Sequence, residues 1–165
     1  MDVSYQEEYF LFLSKSERYC VSCERSVSMV RAKLFEWGAD DIMVSRILEN
    51  LMERGFVNDR RFAEAFCQSK VRYQRWGKHK IVNALLQKGV SFDIVTQVIG
   101  EVDCESYESA ILSLAKRKWD SLSVSDERKR REKVVAYLVS RGYSLSESFE
   151  ALDEIKALKQ ESIKQ

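Results

Sequence analysis

Cys20 and Cys23 stand in a C-x-x-C spacing, which is half of a zinc site or one redox pair. A zinc site needs a second such pair, and none follows. Cys67 and Cys104 are isolated, and His79 is the only histidine. A redox pair of this kind belongs in a βαβ setting, which no stretch of the chain suggests. The four cysteines therefore read as free thiols, and no metal or cofactor is expected. A single histidine builds no histidine pair, and His79, between Lys78 and Lys80, reads as an exposed turn residue. The carboxylates of Asp40, Asp41 and Asp59 could do acid–base work. Each stands just before a helical pattern, where an N-cap is the expected role. There is no phosphate-cradling glycine loop and no nucleophile elbow. No catalytic residue is assigned, and the chain reads as a non-enzyme.

A different chemistry is offered by the cations. From Ala65 to Phe92 there is no acidic residue, yet Lys70, Arg72, Arg75, Lys78, Lys80 and Lys88 all fall there, with Tyr73 and Trp76 among them. Such a stretch could meet the phosphates of a nucleic acid or an acidic protein surface. It could equally be a solvated helix face. Net charge is +1, so bulk charge favours neither. A second basic run, Lys116 to Lys118 and then Arg128 to Lys133, is diluted by Asp120, Asp126, Glu127 and Glu132. Tyr73 and Trp76 themselves read as core, because Tyr73 continues the stripe of Phe62, Phe66 and Ser69. Arg61, Ala65, Gln68, Arg72 and Arg75 fall on a neighbouring stripe.

The elements that must carry these residues come from a repeat. Aligned on Gly38, Gly89 and Gly142, the sequence restates itself about every fifty residues. Val30, Ile81 and Val134 precede the glycines at one fixed distance, and Leu34, Leu85 and Leu138 at another. After the glycines come Ile47, Val98 and Ala151, then Leu48, Ile99 and Leu152, then Leu51, Val102 and Ile155. Each glycine closes an apolar 3–4 pattern as a left-handed C-cap would. A helix-start signal follows: Asp40 or Asp41, Ser91, and Ser144, the last with Glu147 in capping-box spacing. Gly55 and Gly100 close the next helices. A further helix stands in front of each hairpin, at Tyr5 to about Arg18, at Arg60 to Arg75, and around Ala110 to Leu114. Nine helices in three bundles follow, with Ser121–Asp126 as the plainest loop. The expected divisions are 1–57, 58–103 and 104–165. No apolar run is long enough for a membrane span, and the acidic N-terminus does not suit a signal peptide. A cytosolic monomer is expected.

The middle repeat carries Asp59-Arg60-Arg61-Phe62-Ala63-Glu64-Ala65-Phe66, then Trp76-Gly77, Ile81, Leu85 and Gln87-Lys88-Gly89-Val90. It resembles the most recognisable stretch of the RecX family, D-x-R-F-A-x-x-[FY] followed by basic residues, W/Y-G, I-x-x-x-L and K-G-[IV]. The likeness weakens in the flanking repeats and covers roughly residues 14 to 156. It implies an all-α fold of three tandem three-helix repeats in an elongated, curved array. It implies binding along the groove of a filament of the RecA recombinase on single-stranded DNA, with inhibition of filament extension, ATPase activity and strand exchange. It supplies no catalytic residues. Within it, Arg61, Arg72, Arg75, Lys78 and Lys80 are the candidate partner-binding residues. Arg61 could alternatively pair with Asp59. The other class of function left open is a sequence-independent nucleic-acid-binding helical protein that competes for the same DNA. Two features depart from the family pattern: Cys20-x-x-Cys23, and Glu147 where Met43 and Ile94 stand in the other repeats.

Overall fold

In a computed structural model the described residues run from Val3 to Ile163, and they form nine α-helices with no strand. The first repeat holds α1 (Val3–Ser22), α2 (Val27–Glu36) and α3 (Asp41–Glu53). The second holds α4 (Asp59–Arg72), α5 (Lys78–Gln87) and α6 (Phe92–Gly100). The third holds α7 (Cys104–Ser121), α8 (Glu127–Ser140) and α9 (Leu145–Ile163). The repeat pattern is realised as helix, helix, glycine turn, helix. Two boundaries differ from the sequence reading. The first helix runs beyond Tyr5–Arg18 at both ends, from Val3 to Ser22, and the front helix of the middle repeat stops at Arg72, three residues short of Arg75.

The glycine turns have one cause. Gly38, Gly89 and Gly142 adopt φ of +96°, +76° and +97°, where a Cβ is strained. At each, the glycine N–H donates three residues back and the next N–H donates five residues back. Examples are Gly89 to the Leu86 carbonyl at 3.0 Å and Val90 to the Leu85 carbonyl at 3.2 Å. This satisfies the last carbonyls of the helix and turns the chain sharply. The following helix is then capped by its own side chain. Asp40 accepts from the Met43 N–H at 2.8 Å. Ser144 and Glu147 form the reciprocal box, at 3.1 Å and 2.7 Å. Glu147 thus uses its carboxylate on the backbone, where the other repeats place an apolar side chain.

The chain divides into two compact bodies. One comprises the residues up to Phe66 with Leu85–Val98, and the other Cys67–Ala84 with the residues from Ile99 onward. In the first, Val30, Leu34, Met43, Val44, Ile47, Leu48 and Leu51 are all buried, with Leu13 and Cys20 from α1. In the second, Ile81, Val134, Leu138, Ala151, Leu152 and Ile155 are buried together with Tyr107, Leu114 and Tyr143. These are the aligned apolar slots, and truncating any of the fully buried leucines to Ala would cost about 2–5 kcal/mol. In the middle repeat Ile99 and Val102 are only half-buried, because α6 ends at Gly100.

Each body contains one repeat-to-repeat joint of the same design. In the first, the start of α2 is held by the second repeat. The Ser26 hydroxyl donates to the Lys88 carbonyl at 2.7 Å, and the Val27 N–H donates to the Asp59 carboxylate at 2.8 Å. In the second, the start of α5 is held by the third repeat. The Gly77 N–H donates to the Arg141 carbonyl at 2.9 Å, and the His79 N–H to the Gly142 carbonyl at 3.1 Å. The Lys78 N–H donates to the Tyr107 hydroxyl at 3.1 Å. Ser26 and Gly77 are equivalent positions, each twelve residues before its glycine. Orphan N–H groups of one repeat are thus satisfied by the next, at α5 by the C-terminal turn of α8 and the Tyr107 hydroxyl, and at α2 by the Asp59 carboxylate. Helix α8 is instead capped locally, with Asp126 accepting from the Arg128 and Lys129 N–H groups at 2.9 Å and 3.3 Å.

Candidate partner-binding surface

The D-x-R-F-A segment is largely a packing device. Phe62 and Ala63 are buried, and the inward stripe of α4 continues through Cys67 and Val71. Asp59 is not the cap of its own helix, as the sequence suggested. Asn58 fills that role, accepting from the Arg61 N–H at 2.9 Å, and Asp59 instead receives the start of α2. Arg61 does not pair with Asp59 either. It binds the Glu24 carboxylate at 2.6 Å and donates to the Gly55 carbonyl at 3.0 Å. A cation just past the C-terminal end of α3 complements the helix dipole.

The basic stretch is shaped by its turn. Lys70 and Lys80 both lie over the Trp76 ring, with Nζ 4.8 Å and 4.6 Å from its centre, and Lys78 lies 4.8 Å over Tyr107. These stems pack on aromatic faces while the ammonium groups stay near water. Trp76 is half-buried, close to the core role expected of it. Tyr73 is the opposite: its side chain is 75% exposed. The helix ends one residue before it, so the Phe62–Phe66 stripe is never extended that far, and Val71 takes the inward position. Arg75 likewise lies beyond the helix and shares no stripe with Arg72. His79 is exposed as expected, but it sits in the first turn of α5.

Arg75 is the only non-glycine residue at positive φ among the described residues, at +50°. Its conformation is held from both sides. The Arg75 N–H donates to the Val71 carbonyl at 3.2 Å, the Tyr143 hydroxyl donates to the Arg75 carbonyl at 3.1 Å, and Arg141 donates to the Gln74 carbonyl. Burial pushes the Tyr107 and Tyr143 hydroxyls well above the usual phenol range, so both stay protonated. Arg72 and Arg75 make no ion pair among the described residues, whereas Arg54, Arg60, Arg61, Arg128 and Arg131 all do. Both line a cleft of about 370 Å³ whose other wall is α7. Of the five candidate residues, Arg72, Arg75, Lys78 and Lys80 therefore fall around one turn, and Arg61 is engaged elsewhere. The hydroxyl and guanidinium that lock Arg75, from Tyr143 and Arg141, carry no local sequence signal, since they lie nearly seventy residues away.

The cysteines divide by burial. Cys20 and Cys67 are buried and Cys23 and Cys104 exposed. Desolvation raises the Cys20 and Cys67 thiols to about 11. Among the described residues, no helix is long and apolar enough to cross a membrane.

Comparison with known proteins agrees with this architecture. Residues 58–99 match the family model of the RecX second three-helix domain, and residues 105–152 that of the third. A regulatory protein RecX of Chlorobium phaeobacteroides is 31% identical over 80% of this chain and 85% of its own length. Those of Clostridium acetobutylicum and Clostridium perfringens (strain 13) are 28% and 30% identical. The chain spans 73% and 65% of their lengths. The crystal structure of RecX from Lactobacillus salivarius superposes with a TM-score of 0.86 at 18% identity, over 92% of this chain and 99% of that one. With two of three repeats matched by family models and the third built to the same plan, the chain belongs to the RecX family.

Proposed function

We propose that this chain is a regulator in the RecA system that binds the recombinase filament on single-stranded DNA and inhibits its extension, ATPase activity and strand exchange. The observation that carries the reading is the turn at residues 72–80. It presents Arg72 and Arg75 unpaired, and Lys78 and Lys80 braced on rings, in a stretch without a single acid. Such cations suit a phosphate backbone or an acidic protein surface. The chain supplies binding and no catalytic group, so it acts by occupying a surface. Arg61, ion-paired with Glu24, is not counted in this surface. The test is a RecA ATPase titration on single-stranded DNA. Inhibition should saturate with added protein, and flat ATPase activity at saturating protein sinks the proposal. The second reading, sequence-independent competition for DNA, is favoured only by Tyr73. It predicts the same inhibition together with tight binding to DNA alone.

A further inference from the structure

Among the rings of this region, Tyr73 alone is left open. It has no aromatic or cationic neighbour among the described residues, whereas Phe66, Trp76 and Tyr107 each carry a lysine. It follows Arg72 directly and precedes the locked Arg75 by two residues. The cleft that these two arginines line is faced by Ser106, Ser109 and Ser113, a single row on α7 by their spacing. We propose that Tyr73, Arg72 and Arg75 form a station for one nucleotide of a single strand. The ring stacks the base, and the guanidiniums and serine hydroxyls receive the phosphate. This rests on the reading that the surface meets filament DNA, and adds that the chain touches the strand directly.

The chemistry favours a single strand over the other candidates. An acidic peptide would use the arginines and give the ring nothing. A duplex keeps its bases stacked on each other, whereas an unpaired base offers a free face. Asp103 and Glu105 also line the cleft. Asp103 is committed to the start of α7, accepting from the Ser106 N–H at 3.0 Å, and hydrogen bonds from the Ser106 hydroxyl and N–H hold its carboxyl below the usual range. Both carboxylates are negatively charged and oppose a small multivalent anion buried whole. They do less against a chain that passes one phosphate over the arginines. Because the Arg75 backbone is fixed by Tyr143 and Arg141, the arginine is placed before any ligand arrives.

The experiment uses fluorescein-labelled oligothymidylate and an abasic strand of equal length, read by anisotropy at low salt. Wild type should bind both, the abasic strand more weakly. Tyr73→Phe should match wild type, and Tyr73→Ala should lose about 5- to 100-fold on oligothymidylate only. Arg72→Ala/Arg75→Ala should weaken both strands. Wild type that fails to bind oligothymidylate overturns the station, as does Tyr73→Ala binding it normally or losing both strands equally. ATPase inhibition measured on the same proteins separates the two readings. A filament inhibitor indifferent to Tyr73 keeps the function and removes the station. Tyr73-dependent strand binding without any inhibition keeps the station and removes the function.

Discussion

Gly77 shows how much one missing side chain can decide. A Cβ there would sit 2.1 Å from the carbonyl carbon of Gly142, so backbone meets backbone and neither can yield cheaply. At Gly89 an added Cβ would meet the Ser28 Cβ at 2.4 Å, on top of the strain of positive φ. At Gly38, φ is also positive but nothing lies within 4 Å. Three alanine variants should therefore separate. Gly38→Ala should cost about 1–2 kcal/mol from conformation alone. Gly77→Ala and Gly89→Ala should cost about 3 kcal/mol or more, because overpacking adds to or replaces that strain. Thermal melts check the order, and equal losses at the three sites would contradict the joints described. The thiols make a second case. Cys23 and Cys104 should react with a thiol reagent in the native protein, and Cys20 and Cys67 only after denaturation. Both buried thiols bind their protons more tightly folded than unfolded, with values near 11 against an ordinary 9. Protons are then lost first by the unfolded chain, so stability should fall as pH rises from about 9 towards 11 and be flat below. Denaturant midpoints across that range, compared with Cys67→Ser, measure it.

At the scale of elements, the starts of α2 and α5 are each held by the repeat that follows. Asp59 is the clearest device, since its carboxylate serves the N-terminus of α2 and not of its own helix. Asp59→Ala should destabilise the protein by about 0.5–2 kcal/mol, the usual worth of a capping carboxylate. Hydrogen exchange should rise at the start of α2, around Val27, while the start of α4, capped by Asn58, stays protected. Rapid exchange confined to α4 would instead restore the sequence-based reading of Asp59. The Ser144–Glu147 box offers a control, because it is local to α9 and should change nothing in α2 when broken.

For the whole molecule, a net charge of +1 gives little long-range attraction to DNA, so the proposed contact with filament DNA would draw its affinity from a local surface. Reversing Arg72 and Arg75 to glutamate removes two charges that make no ion pair among the described residues, and adds two more acids to a cleft that already holds Asp103 and Glu105. Arg72 is exposed, Arg75 is half-buried and neither is ion-paired, so the melting temperature should move by only a few degrees. Inhibition of RecA ATPase and strand exchange should drop at least tenfold, and wild-type inhibition should weaken as salt rises. A folded double variant that inhibits like wild type would reduce the basic stretch to a solvated face.

The sequence by itself determined the helices, their threefold repetition and the apolar slots, because glycine turns, caps and 3–4 spacing act within a few residues. The Gly38, Gly89 and Gly142 turns and the Ser144–Glu147 box could be read directly, and the D-x-R-F-A and W-G stretches carried the family. Partners distant along the chain could not be read. Asp59 serves α2 from thirty-two residues away, Arg61 reaches Glu24, and Tyr143 and Arg141 lock the Arg75 turn. Tyr73 was misjudged for the same reason. Helical spacing assumes the helix continues, and only the tertiary bonds around residues 74–77 decide that it stops at Arg72, leaving the ring in water.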